Sequence, residues 1–292
     1  MNKIIKYLID NINIVFFILI FLILLYFYNY YINKMLQKII IFDMDETLGC
    51  FFQLGAFIDG LEKFYNKSLS QKEFDEVFDL YPEYIRPDMI NILNFLVEQR
   101  NKGNVDKIVI FTNNQGPKSW AQKISKYFSN KIQSNVFDKI IGAWKVSNRI
   151  NEPLRTSHEK KLDDIVNILN INKDSQICFI DDLYHANMDK GNTFYINITP
   201  YYIVLPTNVL IQRYIDKYSY RQLIQRNFYN FINNFMSNYK FRSSNFNTQY
   251  LKQNIKISDE LFNDLLNYLD LVTPINVFQK KTKKFTRKKN SI

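Results

Sequence analysis

Cysteine, proline and glycine are scarce in this chain, which has two, seven and seven of them among 292 residues. Two cysteines, Cys50 and Cys178, cannot build a disulfide framework, and their spacing fits no zinc site. So little glycine and proline excludes a collagen-like or low-complexity protein, and an apolar fraction of 47% excludes a chain too polar to fold. We therefore expect a folded protein that is stabilised by its hydrophobic core.

The net charge of +10 is concentrated near the carboxyl terminus. Residues 280–289 contain seven lysines and arginines and no acid, so removing seven charges from +10 leaves +3 for the rest of the chain. Such a run can attract nucleic acid or anionic lipid, and it can equally be a solvated tail. We expect a basic, disordered tail over 276–292 and a nearly neutral body.

One long apolar run lies near the amino terminus, at 14–32, and only Asn29 interrupts it. A helix needs about 20 apolar residues to cross the hydrocarbon of a bilayer, and this run meets that length. It lacks the short apolar region and small residues of a cleaved signal peptide, and tyrosines gather at one end as in an aromatic belt. We expect residues 1–34 to be a single-pass membrane anchor.

The flanking charges do not settle the orientation of this anchor. We expect the rest of the chain to face the cytosol, because its two cysteines look unpaired. Two alternatives stay open. The run can be a buried helix, and a translation start at Met35 would give a product without the anchor.

Beyond residue 35 the sequence alternates short apolar runs with helical patterns. The helical patterns lie at about 87–102, 118–128 and 162–170. Uninterrupted apolar runs of this length are typical of parallel strands that are covered on both faces. They lie at 38–42, 107–111, 139–143, 176–180 and 193–196. We predict an α/β fold with a Rossmann-like parallel sheet, in a domain that spans 35–205.

Polar residues directly follow three of these runs. Asp43 and Asp45 come after the first run, Thr112 after the second, and Asp181 with Asp182 after the fourth. In an extended chain, two residues of spacing put both carboxylates on the same side, with Cα atoms about 7 Å apart. Because ligands of parallel sheets bind beyond the carboxyl ends of the strands, we expect these side chains to form a site there.

Carboxylates in pairs allow one to act as a nucleophile and the other as general acid and base. Several carboxylates at one edge repel each other unless a cation lies among them, and oxygen-only ligands select Mg²⁺. Residues 112–114 offer a hydroxyl and turn amides that suit an anion, and Lys160 or Lys161 can supply positive charge. An acidic metal site joined to an anion site indicates phosphoryl transfer.

With these motifs the chain resembles the phosphatases of the haloacid dehalogenase (HAD) superfamily, and among them the HAD-like hydrolases of large DNA viruses. The segment Asp43-Met44-Asp45-Glu46-Thr47-Leu48 is similar to the family's first motif, Asp-x-Asp-x-Thr. Phe111-Thr112-Asn113 is similar to the second motif, Lys160 to the third, and Ile180-Asp181-Asp182 to the fourth. The resemblance covers about 38–200.

The resemblance implies a Mg²⁺-dependent phosphatase with an aspartyl-phosphate intermediate. It implies that Asp43 attacks phosphorus, and that Asp45 protonates the leaving oxygen and then activates water. The groups that would hold the phosphoryl are Thr112, the backbone amide of Asn113, and Lys160, which is preferred to Lys161 because helix signals begin near Leu162. The implied ligands of Mg²⁺ are Asp43, the carbonyl of Asp45, Asp182, and Asp181 directly or through water.

The substrate is not determined by these motifs. An insert at about 50–85 is too short for a full helical cap, so we expect an open site and a bulky phosphorylated substrate, such as a phosphoprotein. The first motif and Arg86-Pro87-Asp88 are similar to protein phosphatases of this family, whereas residues 112–116 are more similar to polynucleotide 3′-phosphatases and histidinol-phosphate phosphatases. A polynucleotide 3′-phosphatase and a non-enzymatic binding module are the alternatives.

Residues 206–275 lie outside the resemblance, and we predict a helical extension there that packs on the sheet. One helical pattern covers 207–240, and another covers 259–271, with Ser258 as its N-cap. The polar stretch at 243–254 is predicted to be a loop. His158 and His185 flank the motifs but match none of them, so we interpret both as surface or supporting residues.

Overall fold

The computed structural model describes residues 16–27, 36–218, 222–241 and 247–270. The basic run at 280–289 and the ends of the apolar run at 14–32 therefore lie outside the described residues. Residues 16–27 form an α-helix, α1, whose side chains are all exposed. Among the described residues, no helix has the length and apolarity needed to cross a membrane.

A five-stranded parallel sheet forms the centre of the fold, and this confirms the predicted α/β, Rossmann-like class. Its strands run in the order β3-β2-β1-β6-β7. They are β1 (Lys38–Phe42), β2 (Lys107–Phe111), β3 (Lys139–Ile141), β6 (Gln176–Asp181) and β7 (Thr193–Asn197). A separate antiparallel hairpin joins β4 (Lys145–Val146) to β5 (Arg149–Ile150). The central strands are buried on both faces, which is why their sequences are apolar without alternation.

Helices cover the two faces of the sheet unequally. Those described after α1 are α2 (Phe52–Tyr65), α3 (Gln71–Phe78), α4 (Met89–Asn101), α5 (Lys118–Ile132), α6 (Leu162–Leu169), α7 (Thr207–Tyr218), α8 (Gln222–Met236) and α9 (Thr248–Tyr268). Side chains such as Ile40 and Ile110 share one core cluster with α2–α5 and α7–α9. Their strand neighbours Ile39 and Val109 point to the opposite face, where they pack against α6. Each fully buried apolar side chain contributes about 1.5–3 kcal/mol to folding.

The stretch at 50–85 differs from the insert that we predicted. It forms α2, α3 and a 3₁₀ turn (Pro82–Tyr84), and its aromatic side chains, including Phe57 and Phe74, are buried in the main core. Gln53 donates to the carbonyl of Leu205 at 2.8 Å and accepts from the backbone N–H of Leu205 at 2.8 Å. The stretch is therefore part of the helical layer and is joined to the carboxyl-terminal helices.

The start of the last carboxyl-terminal helix, α9, was predicted wrongly. The pattern at 207–240 contains two helices, α7 and α8, and α9 begins at Thr248 inside the predicted loop. Asn247 is the N-cap of α9, because its side chain accepts from the backbone N–H of Tyr250 at 2.8 Å. Ser258 lies in the middle of the helix, and its hydroxyl donates to the carbonyl of Pro87 at 2.7 Å. The side chain of Ser258, which we predicted to be an N-cap, therefore makes a tertiary contact instead.

Candidate active site

The candidate site lies where the order of the strands reverses. The chain moves from β1 to β2 and β3 on one side of the sheet, and β6 pairs with the opposite edge of β1. Asp43 follows β1, and its backbone N–H donates to the carbonyl of Ile180 in β6 at 2.8 Å. Asp181 ends β6. Side chains from two neighbouring strands thus meet at the switch point, where open α/β sheets bind ligands.

A tight turn after β1 sets the direction of the first motif. The N–H of Glu46, which has a φ of 61°, donates to the carbonyl of Gly49 at 2.7 Å, and the N–H of Leu48 donates to Met44 at 3.0 Å. Gly49 has no room for a side chain, since a Cβ atom there would lie 2.3 Å from the carbonyl oxygen of Tyr84. The turn folds the chain back while Asp43 and Asp45 stay at the sheet edge.

Arg86 fastens this turn to the rest of the protein. Its side chain is 1% exposed, and Nε donates to the carbonyl of Thr47 at 2.7 Å. Nη2 donates to the carbonyls of Glu46 at 2.6 Å and Thr199 at 2.8 Å, and the guanidinium lies over the ring of Tyr201. One buried cation therefore satisfies carbonyls from two loops and holds the turn in place.

Lys160 brings the first and fourth motifs together. Its side chain is 2% exposed, and Nζ lies 2.5 Å from Oδ1 of Asp43 and 2.6 Å from Oδ2 of Asp181. Lys161 points elsewhere, because its Nζ contacts the hydroxyl of Thr156 at 3.1 Å. The structure therefore places Lys160, and not Lys161, between the carboxylates.

Asp181 and Asp182 occupy different positions at the end of β6. Asp181 is 1% exposed and accepts from the N–H of Leu183 at 2.8 Å, while Nε2 of His185 lies 3.4 Å from its Oδ2. Oδ1 of Asp182 accepts from the hydroxyl of Thr47 at 3.3 Å. His185 therefore supports a site carboxylate, as the sequence interpretation allowed.

The carboxylate of Asp45 lies apart from Lys160 and is held by the second motif. The side-chain amide of Asn114 donates to Oδ2 of Asp45 at 2.7 Å. The backbone N–H of Asn114 donates to the hydroxyl of Thr112 at 3.0 Å, and Thr112 itself is buried. The N–H of Asn113 donates to no atom of the described residues and is available to an anion.

A second buried arginine joins the loops that carry Thr112 and Lys160. Nη1 of Arg155 donates to the carbonyls of Thr112 at 3.2 Å and Gly142 at 2.8 Å. Nη2 donates to the carbonyl of His158 at 3.0 Å, two residues before Lys160. The guanidinium also lies over the ring of Phe111. Sequence analysis missed Arg155, because an isolated arginine in a polar segment carries no sign of burial.

Burial and mutual repulsion shift the pKa values of the carboxylates. Burial raises the pKa of Asp43 well above its usual range despite Lys160, and the neighbouring Asp181 adds to the rise. Burial raises the pKa of Asp45 to about 6, although the hydrogen bond from Asn114 opposes this. Burial also raises the pKa of Asp182, with Asp181 adding to it.

Two groups of the site are held in their charged forms. Burial works against the charge of Lys160, but Asp43 and Asp181 outweigh it and raise the pKa of this ammonium. Burial likewise works against the charge of Asp181, but hydrogen bonding from His185 and attraction by Lys160 lower its pKa. Lys160 and Asp181 therefore form a charged pair beside Asp43.

The donor set of the site suits a small divalent cation. One carboxylate oxygen each from Asp43, Asp181 and Asp182 lies within 4.8 Å of the others. The set contains oxygen atoms only, and hard oxygen ligands select Mg²⁺ or Ca²⁺ over softer metals. A cation here would relieve the repulsion that raises the pKa values of Asp43 and Asp182, so the residues fit such an ion. The carboxylate of Asp45 lies outside this group.

The structure brings all seven residues that the sequence singled out to one edge of the sheet: Asp43, Asp45, Thr112, Asn113, Lys160, Asp181 and Asp182. It adds Asn114, Arg86 and Arg155 as residues that hold them. Comparison of the chain with protein-family models, curated proteins and solved structures gives no match.

Proposed function

We propose that the protein is a Mg²⁺-dependent phosphomonoester hydrolase that works through an aspartyl-phosphate on Asp43. The observation that carries this proposal is that two neighbouring carboxylates have different hydrogen-bond partners. Asp43 contacts the ammonium of Lys160 at 2.5 Å, whereas the carboxylate of Asp45, within the described residues, accepts from a neutral amide donor, Asn114. A nucleophile and an acid–base group need such contrasting environments.

Asp43 is suited to be the nucleophile when a cation is bound, because the positive charge would favour its ionised form against the burial and repulsion that raise its pKa. Its Oδ1 contacts Lys160, which leaves Oδ2 to attack the phosphorus atom. As the new O–P bond forms, the bond between phosphorus and the leaving oxygen breaks. Lys160 balances negative charge near the transferring phosphoryl group, and the hydroxyl of Thr112 with the N–H of Asn113 offers donors to its oxygens.

Asp45 is suited to move the proton. Its raised pKa, about 6, gives a protonated fraction near neutral pH that can be donated to the leaving oxygen. The carboxylate that results can then take a proton from water. That water attacks phosphorus, breaks the O–P bond to Asp43 and releases inorganic phosphate, so both aspartates return to their starting forms.

The carboxylates of Asp43, Asp181 and Asp182 would hold Mg²⁺, and the resemblance to HAD phosphatases implies that the backbone carbonyl of Asp45 would be a further ligand. The ion would supply positive charge against the phosphoryl oxygens. Lys160 and the ion together offset the carboxylates of the site, which otherwise repel an anionic substrate.

The proposal is tested with purified full-length protein and a generic aryl phosphate. We expect hydrolysis with Mg²⁺, loss of hydrolysis in chelator, and loss in Asp43→Asn, which is nearly isosteric. Asp174→Asn is the matched control, because Asp174 is an exposed residue just before the amino end of β6 and its side chain accepts no hydrogen bond within the described residues. Turnover by Asp43→Asn close to that of the control would exclude the mechanism.

The non-enzymatic alternative predicts another outcome of the same experiment. A binding module would take up Mn²⁺ or Mg²⁺ with a measurable heat of binding but would turn over no phosphate ester. Its affinity for the cation would fall in Asp182→Asn without any change in a rate. Turnover that depends on Asp43 excludes this alternative.

A further inference from the structure

A cavity of about 250 Å³ opens beside the carboxyl end of β2. Thr112 and Asn114 line its inner end, the first turns of α5 line one side, and Asn151 and Glu152 line the other. The inference drawn from it rests on the proposed function. We propose that this cavity receives the leaving group of the substrate, and that the leaving group is the terminal nucleotide of a nucleic-acid strand that ends in a phosphate.

The position of Asp45 places the leaving group in this cavity. A general acid has to lie within hydrogen-bond reach of the oxygen that it protonates. The carboxylate of Asp45 is held at 2.7 Å by the side chain of Asn114, and Asn114 also lines the cavity. Asn114 is thus shared by the proposed general acid and the cavity, and we place the departing oxygen on this side of the site.

The size and lining of the cavity suit one nucleobase. At about 250 Å³ the cavity is smaller than the roughly 300–1,000 Å³ typical of ligand pockets, so it suits a group no larger than a single ring system. Its apolar walls include Ala121, Ile140 and Ala143, and the side chains of Gln122 and Glu152 make no hydrogen bond within the described residues. A nucleobase combines apolar faces with an edge of donors and acceptors, which matches apolar walls with unused polar groups at the rim.

Three cations lie in the cavity lining or on the adjoining hairpin, and they favour a polyanion over a peptide. Lys118 lines the cavity at the start of α5. Lys145 and Arg149 lie on the β4–β5 hairpin, which continues from the cavity wall through a hydrogen bond of 2.8 Å between the N–H of Asn151 and the carbonyl of Trp144. None of the three forms an ion pair within the part of the chain that the structure describes.

Nucleic acid brings one negative charge with each nucleotide, so the phosphates beyond the terminal one can reach such cations. A peptide supplies no comparable series of charges. Asp138 also lines the cavity, but its carboxylate is paired with Arg100 at 3.0 Å and forms no ion pair with these three cations. Glu152 also lines the cavity, and its carboxylate can accept hydrogen bonds from the amino groups of a base.

The test compares four substrates on the full-length protein: an aryl phosphate, a phosphopeptide, and single-stranded oligonucleotides with a 3′- or a 5′-terminal phosphate. The variants are Lys118→Glu and Arg149→Glu, both at exposed positions. A glutamate in the first turn of α5 is favoured by the helix dipole, so Lys118→Glu should fold. Lys126→Glu is the matched control, since it makes the same charge change at an exposed position of α5 outside the cavity.

We expect one of the oligonucleotides to have a higher kcat/KM than the phosphopeptide, with the preferred end identified by the 3′ and 5′ arms. Lys118→Glu and Arg149→Glu should each lower the ratio of oligonucleotide to aryl-phosphate kcat/KM by about tenfold, and should reduce the salt slope of oligonucleotide binding by about 1. Binding is measured on Asp43→Asn protein, so this readout does not depend on turnover.

Two results would overturn the proposal while leaving the phosphatase intact. One is a higher kcat/KM on the phosphopeptide than on either oligonucleotide, and the other is an equal response of Lys118→Glu and Lys126→Glu. If the protein is not a phosphatase, the result is different, because none of the four substrates is hydrolysed. That result would contradict both the proposed function and this inference.

Discussion

The ammonium of Lys160 lies 2.5 Å from Oδ1 of Asp43, and both side chains are buried although 117 positions separate them in the chain. The same ammonium lies 2.6 Å from Asp181. A single cation thus joins the ends of β1 and β6. This contact makes the proposed activity and the stability of the protein depend on one side chain.

Lys160→Met should remove this cation and leave two buried carboxylates without the ammonium that they share. We expect kcat to fall by roughly 10²–10³, because a donor to the developing charge is lost. In chelator, the free energy of unfolding should fall by about 3 kcal/mol, since breaking a buried ion pair leaves unpaired charge. Lys161→Met is the control and should stay near wild type in both assays. Equal effects of the two variants in urea denaturation and turnover would contradict the assignment.

Asn114→Ala should remove the amide that holds the carboxylate of Asp45. We expect turnover to fall by about 10²-fold, because a misplaced general acid loses most of its contribution. The loss should shrink for aryl phosphates with good leaving groups, which need little protonation. Asn130→Ala removes a similar amide–carboxylate hydrogen bond, to Asp75, far from the site, and should leave turnover unchanged. A uniform loss across leaving groups would show that Asn114 acts in another way.

Arg86→Lys should destabilise the turn after β1. Lysine cannot reach the carbonyls of Glu46, Thr47 and Thr199 together, so buried acceptors lose their donors. We expect the free energy of unfolding to fall by roughly 3 kcal/mol in urea denaturation. Arg213→Lys, which alters a half-exposed pair with Glu83, should cost about 0–1 kcal/mol. A loss for Arg86→Lys no larger than this would contradict the role of Arg86.

Ser70 and Glu73 form a capping box at the start of α3, and this should make the free energy of unfolding depend on pH. Hydrogen bonds from Lys67 and Ser70 lower the pKa of Glu73 to about 2 from an ordinary value of 4.5. Because the folded-state pKa is depressed, the stabilisation is fully present above the unfolded-state pKa and is lost as pH falls toward 2. Thermal melting of wild type and Glu73→Gln should therefore differ above pH 5 and converge at lower pH. A constant difference from pH 7 to pH 3 would contradict this.

The apolar run at 14–32 remains a proposed membrane anchor. If it spans a bilayer, full-length protein should pellet with membranes and resist carbonate extraction, whereas a chain that starts at Met35 should be released. The measurement is the fraction retained in the pellet, with the basic run at 280–289 deleted in a parallel sample, because that run can bind anionic lipid on its own. Complete extraction of the full-length protein would rule out an anchor.

The strands and the chemistry at their ends could be predicted from the sequence. A parallel strand covered on both faces has to be apolar throughout, so runs such as 38–42 and 107–111 are visible without a structure. Polar residues at the ends of such runs stand out against them. Asp43, Thr112 and Asp181 were found in this way, because burial demands apolar side chains up to the point where a site begins.

Only the tertiary structure decided which residues support the site. The sequence favoured Lys160 over Lys161 only through the expected start of the helix, whereas the structure distinguishes them by which one reaches Asp43 and Asp181 across the sheet. Arg86 and Arg155 donate hydrogen bonds to backbone carbonyls. Because every residue has a carbonyl, no sequence pattern indicates which ones an arginine will contact. The sequence of a segment indicates which of its residues are buried. The segments that pack against it depend on the order of the strands in the sheet. Contacts between distant segments therefore had to come from the fold.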